Sequence, residues 1–237
     1  MGPDVRAVVT DRRGGFSPPP YDENNLGAHV GDDPAAVAAN RDRTARTLGL
    51  SAGTVTWMQQ EHGARVGLVS GRGTVVEPDG VDALVVTEPN RPLAVLVADC
   101  VPVLLADAEA GVGAVAHAGR AGVVAGVVPA TLAVMVDQGA RRERLRAVLG
   151  PAIGSCCYEV PEALQDEVSA LVPATRARTR AGTAALDLRA GLAAVLRAEG
   201  VRAIEVDQRC TADDPELFSY RRDGATGRFA GYLWLTP

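Results

Sequence analysis

Histidine occurs only three times in the 237 residues, at His29, His62 and His117. Two of these stand close to a glycine where an apolar run ends, in Gln59-Gln60-Glu61-His62-Gly63 and in Ala116-His117-Ala118-Gly119. Cys100 holds a matching place in Ala98-Asp99-Cys100-Val101-Pro102. Strand ends are where a sheet delivers side chains to a common crevice, so His62, Cys100 and His117 converge if their strands are neighbours. Two imidazoles and a thiolate suit zinc or copper, and three ligands leave a position for water or substrate, as catalytic zinc sites do. The long gaps between the three differ from the close pairs of a zinc finger. Two other readings fit the same residues. Cys100 can be an inert packing residue beside two hydrogen-bonded histidines, or a nucleophile with His117 as its base.

Arg41 falls inside an apolar helical stripe formed by Val37, Thr44, Ala45 and Leu48, and a buried guanidinium needs a partner. Asp32 or Asp82 can supply a structural one; a phosphate or carboxylate ligand can supply a functional one. Ala118-Gly119-Arg120 offers a second anion site if a helix begins there. Asp99 is placed to orient Cys100, and His29, in a polar loop, is expected to pack in a surface turn.

The elements that must position these residues follow from periodicity and punctuation. A first strand is expected at 5–10, and a polar loop at 21–33. A helix at 34–48 follows, with Asp33 as its cap, Pro34 its first residue and Gly49 its stop. A strand at 54–60 is expected, with 65–70 returning antiparallel to it. The runs at 81–87, 93–98, 102–106 and 111–116 are near-continuously apolar, as in strands buried on both faces. Helical spacing covers 121–136, with a kink expected at Pro129, and further helices are read at 161–171 and 186–199. Strands at 204–207 and 229–235 close the chain, with a turn at Asp223-Gly224 between them. The elements lack a regular βαβ rhythm, which favours a mixed sheet in one α/β domain over residues 1–237.

Composition removes several functions. All 24 basic residues are arginine, so a Walker lysine, a Schiff-base lysine and a pyridoxal anchor are excluded. A net charge of −5 and 4% aromatic residues argue against a nucleic-acid or anionic-membrane partner. Residues 1–13 carry early charges without the apolar run of a signal peptide, and Asp99 interrupts the most apolar region. Four cysteines, two of them the adjacent Cys156 and Cys157, make no disulfide framework for a chain of this size. A cytoplasmic protein with reduced thiols is expected.

Several motifs in order, taken together, resemble the YfiH-type family, which is labelled both multicopper polyphenol oxidase (laccase-like) and purine nucleoside phosphorylase. They begin with 25–34, Asn40-Arg41, 57–63 and Asp82-Ala83-Leu84-Val85. They continue through 98–102, His117-Ala118-Gly119, 150–160 and 218–224. The resemblance implies a single α/β domain of layered mixed sheets flanked by helices, akin to the cytotoxic-necrotizing-factor cysteine hydrolases. It implies that His62, Cys100 and His117 are both catalytic residues and the ligands of a metal, zinc first and copper second. It also implies that Arg41, Asn25 and Gln60 contact substrate. The implied activity is phosphorolysis of adenosine, inosine and methylthioadenosine, with deamination of adenosine. The alternatives are a copper-dependent polyphenol oxidase and a Cys100/His117 amidase acting on cell-wall precursor peptides. The family's usual His-Ala-Gly-Trp-Arg-Gly is here His117-Ala118-Gly119-Arg120-Ala121-Gly122, without the tryptophan and with the arginine displaced.

Overall fold

The computed structural model describes residues 1–2, 4–69 and 79–237. In chain order its elements begin with β1 (Val5–Val9), α1 (Pro34–Thr47), β2 (Val66–Val69), β3 (Ala83–Val86), β4 (Leu93–Val97), β5 (Val101–Asp107) and β6 (Val112–Ala118). Next come α2 (Arg120–Ala125), α3 (Val127–Asp137), β7 (Arg146–Leu149), α4 (Glu162–Leu171), β8 (Arg176–Arg178) and β9 (Ala184–Leu186). The chain ends with α5 (Leu188–Ala198), β10 (Ala203–Val206), α6 (Tyr220–Asp223) and β11 (Phe229–Leu235).

Six strands form a mixed sheet in the order β10-β7-β5-β6-β3-β2, and three form an antiparallel sheet, β1-β11-β4. In the larger sheet only β10–β7 and β2–β3 run parallel. Side chains alternate across a strand, and the buried runs divide accordingly. Leu84, Val86, Leu104, Ala106 and Val115 face the smaller sheet, meeting Leu93, Val95, Phe229 and Leu233. Ala83, Val85, Val103, Leu105 and Ala114 face the other way, onto Val127, Leu132 and Met135 of α3 and Leu192 and Leu196 of α5. On the smaller sheet's outer face Leu96, Tyr232 and Trp234 pack with Ala45 of α1 and with Trp57. Four layers result: α1, the small sheet, the large sheet, and a helical layer. Both sheets are covered on both faces, which is why their strands read as continuous apolar runs.

Helix α1 starts as its punctuation dictates. The Asp33 carboxylate accepts from the Ala35 N–H, Pro34 opens the first turn, and Gly49 leaves it at φ +73°. Three expectations need correction. Residues 54–60 are not a strand: a 3₁₀ turn covers Ala52–Thr54, and only Thr56 and Gln59 make isolated bridges, to Leu93 and Asp79. The next strand, β2, therefore does not return against 54–60 but runs parallel to β3; Ser70 lies outside the described residues. The break in 121–136 falls at Gly126, φ +82°, and not at Pro129, which sits in the first turn of α3, where no N–H is needed. Strands β7, β8 and β9, of four, three and three residues, are too short for an alternating pattern to show in the sequence.

Candidate functional site

The polypeptide leaves the small sheet at the end of β4 and enters the large sheet at β5, and residues 98–100 make the crossing. Asp99 holds the sharp bend with φ +90°, a conformation that aspartate tolerates better than most side chains. Its carboxylate accepts from Thr211 Oγ1 (2.6 Å), Ser219 Oγ (2.7 Å) and the Arg221 N–H (2.7 Å). Two segments distant in sequence, around Thr211 and at the start of α6, thus fix the residue before Cys100. The pairing of Val101 with Ala118 and Pro102 with His117 then sets Cys100 beside the end of β6. Gly119 lies between: a Cβ there would come within 2.8 Å of the His62 ring and 2.9 Å of Cys100 Sγ, so only glycine lets the segments close up.

His62 reaches the cluster from the loop before β2, with φ +62°. Buried Asp82 organises it. The Asp82 Oδ1 accepts from the His62 N–H and from His117 Nδ1, each at 2.8 Å, and Oδ2 accepts from the Gly63 (2.7 Å) and Glu61 (3.2 Å) N–H groups. With Nδ1 of His117 engaged, its other nitrogen is the one left for Cys100. Cys100 Sγ lies 3.8 Å from His62 Nε2, and the ligand atoms of His62, Cys100 and His117 all lie within 4.8 Å of one another.

Electrostatics follow from these contacts. Burial pushes the Cys100 thiol up, but the charge and hydrogen bond of His117 and a further bond from His62 outweigh it, bringing the thiol down to about 6. Burial lowers His117, yet the Cys100 charge and the Asp82 hydrogen bond raise it to about 9. Asp82 is likewise opposed by burial, and its bonds from His117 and the Gly63 N–H bring it to about 2. Cys100 is set to present a thiolate, the form that binds metals and attacks carbons.

The three residues open onto a cavity of about 420 Å³, within the usual range for small-molecule sites. Arg120, Arg221 and Arg228 contribute cationic groups to its wall, and Tyr158 and Tyr220 aromatic ones. Arg228 is half-buried, held by its donation to the Thr226 and Gly227 carbonyls, and burial lowers its pKa. Arg221 lies over the Tyr158 ring, 5.1 Å from its centre.

The other expected site residues are distributed differently. Gln60 lines the cavity, but its amide pairs with the backbone of Leu96 in both directions, at 2.8 and 2.9 Å, completing the sheet edge. Asn25 and Arg41 are not among the lining residues. Asn25 is fully buried and braces its loop, accepting from the Gly27 and Arg228 N–H groups and donating to Asp32. Arg41 Nε donates to the Leu26 carbonyl, and its guanidinium lies 4.0 Å over the Trp57 ring, so these groups hold the side chain that was expected at a ligand. His29 lines the cavity where a role in surface turn packing was expected. The helix after Gly119 has only six residues, too short for a dipole-based anion site. Asp82, expected as a partner for Arg41, pairs with His117 instead, and Arg221, Arg228, Tyr158 and Tyr220 are site residues that residue types do not single out. The available signal was a charged residue at the head of an apolar strand, in Asp82-Ala83-Leu84 and Arg228-Phe229-Ala230.

Residues 6–236 match the family model described as multi-copper polyphenol oxidoreductase laccase. The chain belongs to this family. It is 55% identical over 232 residues to the purine nucleoside phosphorylase Rv2149c of Mycobacterium tuberculosis, covering 98% of this chain and 92% of that one. A purine nucleoside phosphorylase of Corynebacterium glutamicum is 50% identical over 234 residues, covering 98% and 94%. Among solved structures, YlmD from Geobacillus stearothermophilus superposes with a TM-score of 0.92 at 32% identity, covering 99% of this chain and 93% of that one. These likenesses support an enzyme and establish the single-domain α/β fold of mixed sheets and helices. Among the described residues no helix is long and apolar enough to cross a membrane.

The donor chemistry of the cluster fits a metal. Two imidazoles and a thiolate gathered around one point, with one imidazole backed by a buried carboxylate, form the arrangement that orients histidine toward a metal. A centre of several coppers needs many histidines, and the only one besides His62 and His117 is His29.

Proposed function

We propose that this chain is a metal-dependent purine nucleoside enzyme. It splits adenosine, inosine and methylthioadenosine with phosphate, giving the free base and the corresponding sugar 1-phosphate (ribose 1-phosphate, or its 5-methylthio derivative from methylthioadenosine), and it deaminates adenosine. The observation that carries this reading is the meeting of His62, Cys100 and His117 with three arginines in one cavity. In phosphorolysis a phosphate oxygen bonds to the ribose anomeric carbon while the bond from that carbon to the purine nitrogen breaks. Arg228, with Arg120 and Arg221, supplies charge for the phosphate, and Tyr158 and Tyr220 supply rings for the purine. Arg41 and Asn25 act on substrate through the wall they brace, Asn25 by holding the Arg228 backbone. Bound at His62, Cys100 and His117, zinc, or copper in its place, supplies Lewis acidity. Asp82 keeps His117 in the tautomer that turns its other nitrogen to the cavity. The likeness of the layered fold to cytotoxic-necrotizing-factor cysteine hydrolases, and a cytoplasmic location with the four cysteines reduced, belong to the same reading.

A second reading rests on the placement of Cys100 Sγ within 4.8 Å of a ring nitrogen of His117, which Asp82 orients. It is an amidase with Cys100 as nucleophile and His117 as base, acting on cell-wall precursor peptides. The deciding assay supplies the purified protein with adenosine or inosine and phosphate. Ribose 1-phosphate and free base should form, and His117→Ala should reduce them to background while keeping the fold. No ribose phosphate, adenine or inosine above that control overturns the proposal.

A further inference from the structure

A second group of soft donors lies apart from His62, Cys100 and His117. Cys156 and Cys157 sit in a turn in which the Cys157 and Tyr158 N–H groups both donate to the Gly154 carbonyl at 3.0 Å. Cys210 approaches from the segment after β10, bridging to Ala152, and the N–H groups of Asp213 and Asp214 donate to its carbonyl. One turn thus presents two sulfurs, and the other a sulfur and a carboxylate. The three Sγ atoms and a carboxylate oxygen of Asp213 all lie within 4.8 Å of one another.

The spacing carries further information. With zinc–sulfur and zinc–oxygen bonds of roughly 2.3 and 2.0 Å, a sulfur and an oxygen on one tetrahedral ion stand roughly 3.5 Å apart. Cys156 Sγ stands at that distance, 3.5 Å, from Asp213 Oδ2, and Cys157 Sγ lies 3.4 Å from the other oxygen, Oδ1, so one carboxylate oxygen already has the spacing to one sulfur. The Gly154 N–H points at Cys210 Sγ from 3.1 Å, a donor that stabilises a thiolate. A Cβ at Gly154 would stand 3.1 Å from Cys156 Sγ and 3.3 Å from Cys210 Cβ, so the glycine keeps the space in which the sulfurs meet. Arg180 grips the Asp213 carboxylate through both terminal nitrogens and fixes its orientation. Each carboxylate oxygen keeps a second lone pair for another partner. Inert structural cysteines sit in apolar surroundings, whereas Cys156 and Cys157 are half-buried against a charged carboxylate. All four cysteines of the chain are free thiols.

We propose that Cys156, Cys157, Cys210 and Asp213 form a second metal site, which binds one zinc-class divalent ion through three thiolates and a carboxylate. Four protein donors close the coordination shell, so the site is structural. Its place in the fold says what it holds. Ile153 and Tyr158, on either side of the cysteine turn, line the cavity, and Thr211, next to Cys210, holds Asp99. An ion here ties together the two segments that build one wall of the cavity.

The test uses the full chain with the first cluster disabled, as the double variant His62→Ala/Cys100→Ser, purified under reducing, anaerobic conditions. This protein should keep one zinc per chain through gel filtration. Loaded with cobalt, it should show thiolate-to-cobalt charge-transfer absorption, which no longer comes from Cys100. Adding Cys156→Ser and Cys210→Ser should abolish both signals, with circular dichroism checking the fold. Alkylation of the double variant itself needs no folded cysteine mutant: zinc should protect Cys156, Cys157 and Cys210, and a chelator should expose them. Zinc lost on gel filtration, zinc retained after the two serine substitutions, or a disulfide among these cysteines in the anaerobic protein would each overturn the proposal. None of these readings depends on nucleoside turnover.

Discussion

Opposite ends of the β5–β6 hairpin each lie beside one fully buried aspartate, and the two are used differently. At one end Asp107 closes β5. Its Oδ2 accepts from Arg144 Nε and a terminal Arg144 nitrogen at 3.0 and 2.8 Å and from the Arg141 N–H at 2.8 Å, and its Oδ1 accepts from the Glu109 and Ala110 N–H groups at 3.1 Å. Every partner belongs to the local turn or its neighbouring loop, and Asp107 does not line the cavity that holds His62, Cys100 and His117. At the other end Asp82 gives one of its bonds to His117, a side chain whose second nitrogen faces Cys100 and the cavity. Burial opposes ionisation of both acids, and hydrogen bonds overcome it in both. Burial and a lowered pKa therefore do not tell function from structure. The difference lies in where the partner leads: Arg144 passes only to the exposed Glu109 carboxylate of the same turn, while His117 leads to the reactive end of the sheet.

The comparison breaks if the two acids behave alike when removed. Asp82→Asn should lower metal affinity or nucleoside turnover by roughly 10–100-fold, as loss of a carboxylate behind a ligating histidine does, in addition to a stability loss from its three backbone donors. Metal content and steady-state kinetics measure the first, and urea unfolding the second. Arg228→Ala sharpens the account of the cavity end. Loss of a charged hydrogen-bond donor is worth about 1.5–3 kcal/mol, so phosphorolysis should fall roughly 10- to 150-fold while deamination, which consumes water and no phosphate, falls less. Arg41→Ala, which removes the Trp57 contact, should lower both reactions together through stability. A selective loss of phosphate use in the Arg41 variant would return the anion role to that residue.

Asp107→Asn should cost stability alone. Turnover should stay near that of the unaltered protein at temperatures where both are folded, and stability at neutral pH should fall by about 1.5–3 kcal/mol, the worth of hydrogen bonds to a charged group. The sign with pH follows from the lowered pKa of the folded state. Asp107 stabilises the fold above the unfolded carboxylate value of about 3.9, and that contribution disappears as the pH drops through its lower folded value. Unfolding curves of the two proteins should hence converge in acid and separate toward neutrality. A gap that is constant with pH would mean that packing, and not charge, holds this end of the hairpin.

Much of this arrangement was readable from residue types. Asp33, Pro34 and Gly49 punctuate α1 because capping and a positive φ are local properties, and the doubly buried strands show as unbroken apolar runs. Residues 54–60 misled because their apolar members Val55, Trp57 and Met58 are buried, while only single bridges, Thr56 to Leu93 and Gln59 to Asp79, join the segment to its neighbours. Pro129 misled because a proline in a first helical turn breaks nothing, while Gly126 supplies the left-handed residue that divides the helices. His62, His117 and Cys100 stood out because histidine and cysteine are rare in this chain. Arg228 did not, since one arginine among 24 carries no contrast, and only the fold shows which of them reaches the cavity.

Cys100→Ser tests the central claim most directly, because it keeps the volume of the side chain and replaces a soft ligand with a poor one. Zinc content of the freshly purified, folded variant is measured beside ribose 1-phosphate formation, relative to the unaltered chain. If His62, Cys100 and His117 hold the catalytic metal, the variant loses the zinc of that cluster and its turnover together. A folded Cys100→Ser protein with its full zinc content and no turnover would contradict the metal assignment and make Cys100 the nucleophile.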